Sequence, residues 1–190
     1  MEIPAKQKNI LLKLAANTIE EYITKQEIIK KPAYLNCKNL FFVKIMPQIF
    51  KEQLNCFVTI YKDSVLRGCI GSLRTDESLY QNIIKYSILA ATQDGRFSPV
   101  SVDELASLKY EISILAEFVE ISDSEDFLLG EEGLLLNANL TSAILLPQVA
   151  TECSLNKLEF IEKLKEKARL TEFKHKVNYK LYKFKTTIIK

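Results

Sequence analysis

Two strand-like runs stand only two residues apart, and that spacing constrains the fold more than any other feature of the chain. Residues 56–62, Cys-Phe-Val-Thr-Ile-Tyr-Lys, are rich in β-branched and aromatic types. Residues 65–73, Val-Leu-Arg-Gly-Cys-Ile-Gly-Ser-Leu, form a second extended run, and only Asp63-Ser64 lies between. A two-residue connection joins antiparallel neighbours, because parallel strands need a crossover of a dozen or more residues. The pairing recurs later: Gly133-Leu134-Leu135-Leu136 and Ala143-Ile144-Leu145-Leu146 flank a polar turn over 137–142. Residues 109–118 alternate, with Tyr110, Ile112 and Ile114 on one side and Glu111 and Ser113 on the other, which predicts a half-buried strand. A last strand or hairpin is expected over 176–189.

Helical spacing fills the gaps. Residues 7–24 place Ile10, Leu11, Leu14, Thr18, Ile19 and Tyr22 on one face. Residues 78–93 follow, with Ser78 as N-cap and Asp94-Gly95 as the stop, Gly95 taking a left-handed cap conformation. A short helix is expected near Ser101, where Asp103 and Glu104 favour its positive end. Asn156 caps another, with Glu159 as reciprocal partner and Leu158, Ile161, Leu164 and Ala168 facing the core. Residues 30–55, broken by Pro32 and Pro47, carry no readable pattern. Hairpin-like strand pairs among helices predict an α+β fold, mainly antiparallel with flanking helices, rather than a doubly wound parallel sheet.

Composition excludes several classes. With 190 residues, 47% hydrophobic and 26% charged, the chain can bury a core without disulfides or metals. No apolar run approaches about 18 residues, so no membrane span is expected, and the N-terminus lacks the pattern of a signal peptide. A cytoplasmic protein is the default, and Cys37, Cys56, Cys69 and Cys153 are then expected as free thiols. With His175 as the only histidine and no closely spaced cysteine pair, no metal site is expected. The net charge of +2 is unevenly placed. Residues 163–190 hold ten Lys or Arg against Glu166 and Glu172, a net +8, whereas residues 103–132 hold ten acids against Lys109. The lysines are interleaved with core-like residues, so a solvated edge is favoured over a nucleic-acid surface.

Two segments concentrate the chemistry. In Leu66-Arg67-Gly68-Cys69-Ile70-Gly71-Ser72, two glycines bracket a cysteine inside a strand-like run, which marks a bulge or a close backbone approach. Backbone N–H groups there, with Arg67, offer an anion site, and an Arg beside Cys69 favours its thiolate. The alternative is a buried thiol in a packing turn. In Asp94-Gly95-Arg96-Phe97-Ser98-Pro99, Asp94 and Arg96 either bracket a polar substrate or bind each other, while Phe97 and Pro99 pin the loop. Glu111 is either a solvated strand residue, a partner for Arg67 or Arg96, or a proton acceptor. Pro147 suits a first helical position, and Gln148 after it offers an amide to backbone or ligand.

In this order, Phe57-Val58-Thr59-Ile60, Leu66-Arg67-Gly68-Cys69-Ile70-Gly71, Asp94-x-Arg96-Phe97-x-Pro99, Glu111-Ile112-Ser113-Ile114-Leu115, Gly133-Leu134-Leu135-Leu136 and Leu146-Pro147-Gln148-Val149-Ala150 resemble the AMMECR family, also called AmmeMemoRadiSam system protein A. Gly95 stands where that family usually has a proline. The resemblance implies one AMMECR-type domain over 1–190, two sub-lobes sharing a core, with the Arg67–Gly71 segment near their junction. It implies association with a Memo-like protein and a radical SAM enzyme; it names no reaction, cofactor or oligomeric state. Two readings follow. One is a component of a protein or small-molecule modification system, with Cys69 and Glu111 as candidate chemical groups and Arg67, Gly68, Gly71, Ser72, Asp94, Arg96, Phe97 and Gln148 as candidate binding residues. The other is a non-catalytic protein-interaction adaptor. Nucleic-acid binding ranks third, resting on charge alone.

Overall fold

The computed structural model describes residues 2–25, 47–73, 76–123, 125–139, 141–170 and 177–190. They divide into two compact units: residues 1–114 with 187–190, and residues 115–186. Most of the unpatterned stretch over 30–55, and His175, lie outside the described residues.

The first unit begins with helix α1 (Ala5–Lys25) and a single turn, α2 (Gln48–Lys51). Strands β1 (Cys56–Lys62) and β2 (Val65–Gly71) form the expected antiparallel hairpin. Its turn residues Asp63 and Ser64 both take positive φ, 50° and 65°, the geometry whose twist suits a two-residue hairpin. Helix α3 (Leu79–Thr92) follows, then a 3₁₀ turn over Val102–Ser107 and strand β3 (Leu108–Leu115), which pairs with β1 on the side away from β2. β2 is thus the edge of a β2-β1-β3 arrangement.

Leu11, Leu14, Val58, Leu79, Ile83, Tyr86, Ile112 and Ile114 pack together, so one sheet face is closed by α1 and α3. α3 starts where expected: Ser78 Oγ accepts from Gln81 N, and Gln81 Oε1 accepts from Ser78 N (3.0 Å). Its end differs. The chain leaves through Gln93 (φ −129°, ψ 11°), and Gly95 is not among the glycines with positive φ, because the turn is held by Asp94 instead. Ile10 is 40% exposed, at the margin of the apolar stripe of α1.

The second unit holds β4 (Val119–Ile121), β5 (Glu132–Ala138), β6 (Ser142–Leu145), α4 (Gln148–Glu152), α5 (Lys157–Lys167) and most of β7 (Tyr179–Ile189). β5 pairs antiparallel with β6 and β7, and β4 adds to β7. Phe127, Leu134, Leu136, Phe160, Ile161 and Leu164 form its core. Asn156 and Glu159 cap α5 reciprocally, at 3.0 and 2.8 Å. Leu158, expected in the core, is 69% exposed; Phe160 takes the buried position, two residues on and across the helix. The basic and acidic stretches meet here: Lys180 pairs with Glu120 and Lys183 with Glu132. The charge asymmetry along the chain is in part paired off across β4, β5 and β7. Among the described residues, no helix is long and apolar enough to cross a membrane.

Candidate functional site

The position of Cys69 is decided by one extra residue. The hairpin starts in simple register, Lys62 opposite Val65 and Tyr61 opposite Leu66, but Ile60 then faces Gly68, not Arg67. Arg67 is the bulged residue. A one-residue slip turns every later side chain to the opposite face. Gly68 therefore points to the helices, where an added Cβ would strike the Ala90 carbonyl, and Cys69 points away from them, opposite Thr59. Without the bulge, Cys69 would sit opposite Val58 in the core. Gly71 is required too: the Phe57 ring and the Cys56 carbonyl occupy the space of a Cβ there.

The face turned away from α1 and α3 carries a polar row across three strands. Cys69 faces Thr59, and Thr59 faces Glu111. The Thr59 hydroxyl donates to Cys69 Sγ at 3.2 Å. Glu111 pairs with Lys190 Nζ at 3.2 Å, not with Arg67 or Arg96. It is buried at 4% exposure, and Ser113 at 0%, so from Glu111 onward this strand is covered on both faces rather than half-buried. Cys69 itself is half-buried. Cys56, on the helix side of β1, is fully buried, and burial pushes its thiol up to about 12.

Because β2 is an edge, the main-chain groups of Cys69 face away from β1 and need partners there. The Asp94 loop supplies them. Cys69 N–H donates to Asp94 Oδ2 at 2.8 Å, and Arg96 Nη2 reaches the Cys69 carbonyl at 3.5 Å. Two side chains thus stand in for a neighbouring strand. The pair is locked by its own fork: Arg96 Nε to Asp94 Oδ1 at 2.9 Å and Nη2 to Oδ2 at 2.7 Å, with Arg96 N–H also on Oδ1. Each Asp94 oxygen accepts two bonds, which is the full capacity of a carboxylate. Arg96 above all, then the backbone N–H donors, lowers the Asp94 carboxyl from 3.8 to about 2, against the opposing effect of its burial.

Arg67 is consumed by structure. Its Nε and Nη2 bind both Glu104 oxygens at 2.9 and 3.0 Å, and Nη1 and Nη2 donate to the Ser98 and Pro99 carbonyls. Arg67 holds the Glu104 carboxyl well below the usual range; Ser101 N–H and Lys62 add to this. Both guanidinium groups stand near the Phe97 ring, Arg67 at 6.0 Å and Arg96 at 5.4 Å from its centre. Arg67 therefore fastens β2 to the loop before the 3₁₀ turn. Two amides offered to an anion are occupied as well: Cys69 N–H by Asp94, and Ser72 N–H by the Cys56 carbonyl at 3.3 Å.

Of the residues singled out in the sequence, the first unit gathers Arg67, Gly68, Cys69, Asp94, Arg96 and Phe97 into one cluster. Glu111 stands at the far end of the polar row. Gln148 belongs to the second unit, where it opens α4 after Pro147, whose dihedrals are helical. Two participants were missed, Thr59 and Glu104. Glu104 was legible only as a residue of a helix start, a role it also plays by accepting from Ser101 N–H at 3.0 Å. Among the described residues, no group of three or more His, Cys, Asp or Glu side chains is arranged to hold a metal.

Known proteins share this sequence and fold. Protein Ta0236 of Thermoplasma acidophilum is 44% identical over 149 residues, covering 74% of this chain and 72% of its own. Protein Mbar_A1807 of Methanosarcina barkeri is 34% identical, covering 79% and 73%. The crystal structure of the uncharacterized protein PH0010 from Pyrococcus horikoshii superposes with a TM-score of 0.83 at 29% identity, covering 99% of this chain and 93% of that one. A family profile described as AMMECR1 matches residues 12–189. With that match, and with relatives above 30% identity over most of its length, the chain belongs to the AMMECR1 family.

Proposed function

We propose that Cys69 is the working thiol of a cytoplasmic protein that serves, with a Memo-like protein and a radical SAM enzyme, in a protein or small-molecule modification system. The observation that carries this reading is the clamp: Asp94 and Arg96 hold both main-chain groups of a half-buried Cys69 on an edge strand. A thiol that merely filled a core would need neither a bulge to turn it away from that core nor an ion pair to fix its backbone. Arg96 lies close enough to feel a charge on the Cys69 sulfur, and such a cation favours thiolate. Asp94 offsets much of that field, so the benefit comes from the part of Arg96 that Asp94 leaves unbound.

The test is reconstitution. The chain is mixed with a Memo-like protein and a radical SAM enzyme, and complex formation and turnover of S-adenosylmethionine are followed. Cys69→Ala is expected to keep the complex and lose the turnover that depends on this chain. Unchanged turnover would remove the chemical role of the thiol, and absence of any complex would remove the partners. A second reading, a non-catalytic adaptor, is favoured by Val65 and Val102, exposed at 68% and 56%. Val65→Lys with Val102→Lys would then abolish the complex while Cys69→Ala had no effect.

A further inference from the structure

We infer that Arg96, and not Arg67, is the anion-recognising group of this site, and that the substrate at Cys69 carries a carboxylate next to its electrophilic carbon. The inference rests on the reading of Cys69 as a working thiol. It follows from counting donors. A guanidinium has five N–H groups in a fixed fork. In Arg67 the Nε and both Nη atoms are engaged, and the side chain is only 13% exposed. In Arg96, Nε and Nη2 are engaged by Asp94 and the Cys69 carbonyl, but Nη1 has no hydrogen-bond partner among the described residues. The Arg96 side chain is 56% exposed, while Asp94 beneath it is 7% exposed.

This free edge is already ordered. Asp94 fixes the fork from one side and the Phe97 ring lies 5.4 Å from its centre, so little side-chain entropy remains to be lost when an anion binds. The charges of the cluster suit a monoanion. Among the described residues of the cluster, Lys62, Arg67 and Arg96 stand against Asp94 and Glu104, a net positive charge of one. A dianionic phosphate would exceed it beside two carboxylates, whereas a carboxylate matches it. The clamp also connects recognition to the thiol, because the guanidinium that presents Nη1 holds the Cys69 carbonyl through Nη2.

Iodoacetate and iodoacetamide test this, since they differ in charge at nearly equal size. In both reactions the thiol first loses its proton to solvent. The thiolate then attacks the CH₂ carbon, a C–S bond forms, and the C–I bond breaks with its electron pair leaving on iodide. Rates at Cys69 in the folded protein are read by mass spectrometry and normalised to a neutral blocked cysteine. The normalised iodoacetate-to-iodoacetamide ratio is expected to exceed one by on the order of tenfold, the size of a charge-assisted hydrogen bond. It should fall as salt is raised and collapse in Arg96→Gln, while Arg67→Lys should leave it intact. Arg96→Lys, which keeps the charge without the fork, should retain only part of it.

If Cys69 reacts with iodoacetamide but shows a ratio near one, the role given to Arg96 falls and the working thiol stands. If neither reagent labels Cys69 before unfolding, both fall. Should Arg96→Gln fail to fold, the wild-type ratio, its salt dependence and Arg96→Lys decide the matter. A wild-type ratio that salt does not move overturns the inference.

Discussion

Replacing Asp94 by Asn removes one charge and turns a donor toward the donors of Arg96, yet leaves an oxygen for Cys69 N–H. The cost can be worked from the carboxyl. A shift from 3.8 to about 2 corresponds to roughly 2.5 kcal/mol of preference for the ionised form. Arg96 is more than half exposed, so solvent screening reduces this to about 1–2 kcal/mol. The sign fixes a pH window. The folded carboxyl is depressed, so its contribution is complete above the unfolded value near 3.8 and is lost as pH falls through about 2. Urea unfolding of wild type and Asp94→Asn should therefore differ by about 1–2 kcal/mol at pH 7, and the gap should narrow between pH 4 and pH 2. A gap below about 0.5 kcal/mol at pH 7, or one that does not change with pH, would refute the reasoning that the ion pair fastens the edge strand.

Three further substitutions probe packing, one beside the site in the first unit and two on helix α5 of the second. Gly68→Ala sets a methyl against the Ala90 carbonyl where β2 meets α3, and should destabilise by about 1–3 kcal/mol in urea unfolding. Leu158→Glu should stay within about 0.5 kcal/mol of wild type, since the side chain is 69% exposed, whereas Phe160→Ala on the same helix should cost about 3–5 kcal/mol.

Local rules made much of this fold legible. Asp63-Ser64 between two β-rich runs specified a hairpin, and Ser78 and Asn156 marked helix starts that turned out to have reciprocal caps. The Asp94-x-Arg96 spacing pointed to a local ion pair. What the sequence did not display were the features set by register and tertiary burial. Simple hairpin register puts Cys69 opposite Val58; the bulge at Arg67 moves it to Thr59, and only the two glycines hinted at it. Glu111 reads as a solvated residue on an open face or as an ion-pair partner or proton acceptor in a cleft, because alternation records which face a side chain takes, not whether that face is covered; the structure buries it and pairs it with Lys190. Glu104 binds Arg67 from 37 residues away, a contact no local pattern encodes. Leu158 matched the helical period and still faces solvent, because Phe160 fills the core instead.

On the proposed function, the bulge and the Asp94–Arg96 clamp present Cys69 as an accessible thiol. The measurement that decides this is the alkylation rate of each cysteine by iodoacetamide in the folded protein at pH 7, read by mass spectrometry. Cys69 is expected to label at least as fast as a blocked free cysteine, while Cys56, fully buried beneath α1 and α3, labels only on unfolding. If Cys69 behaved like Cys56, silent until the chain unfolds, it would be a structural thiol and its proposed role would fall.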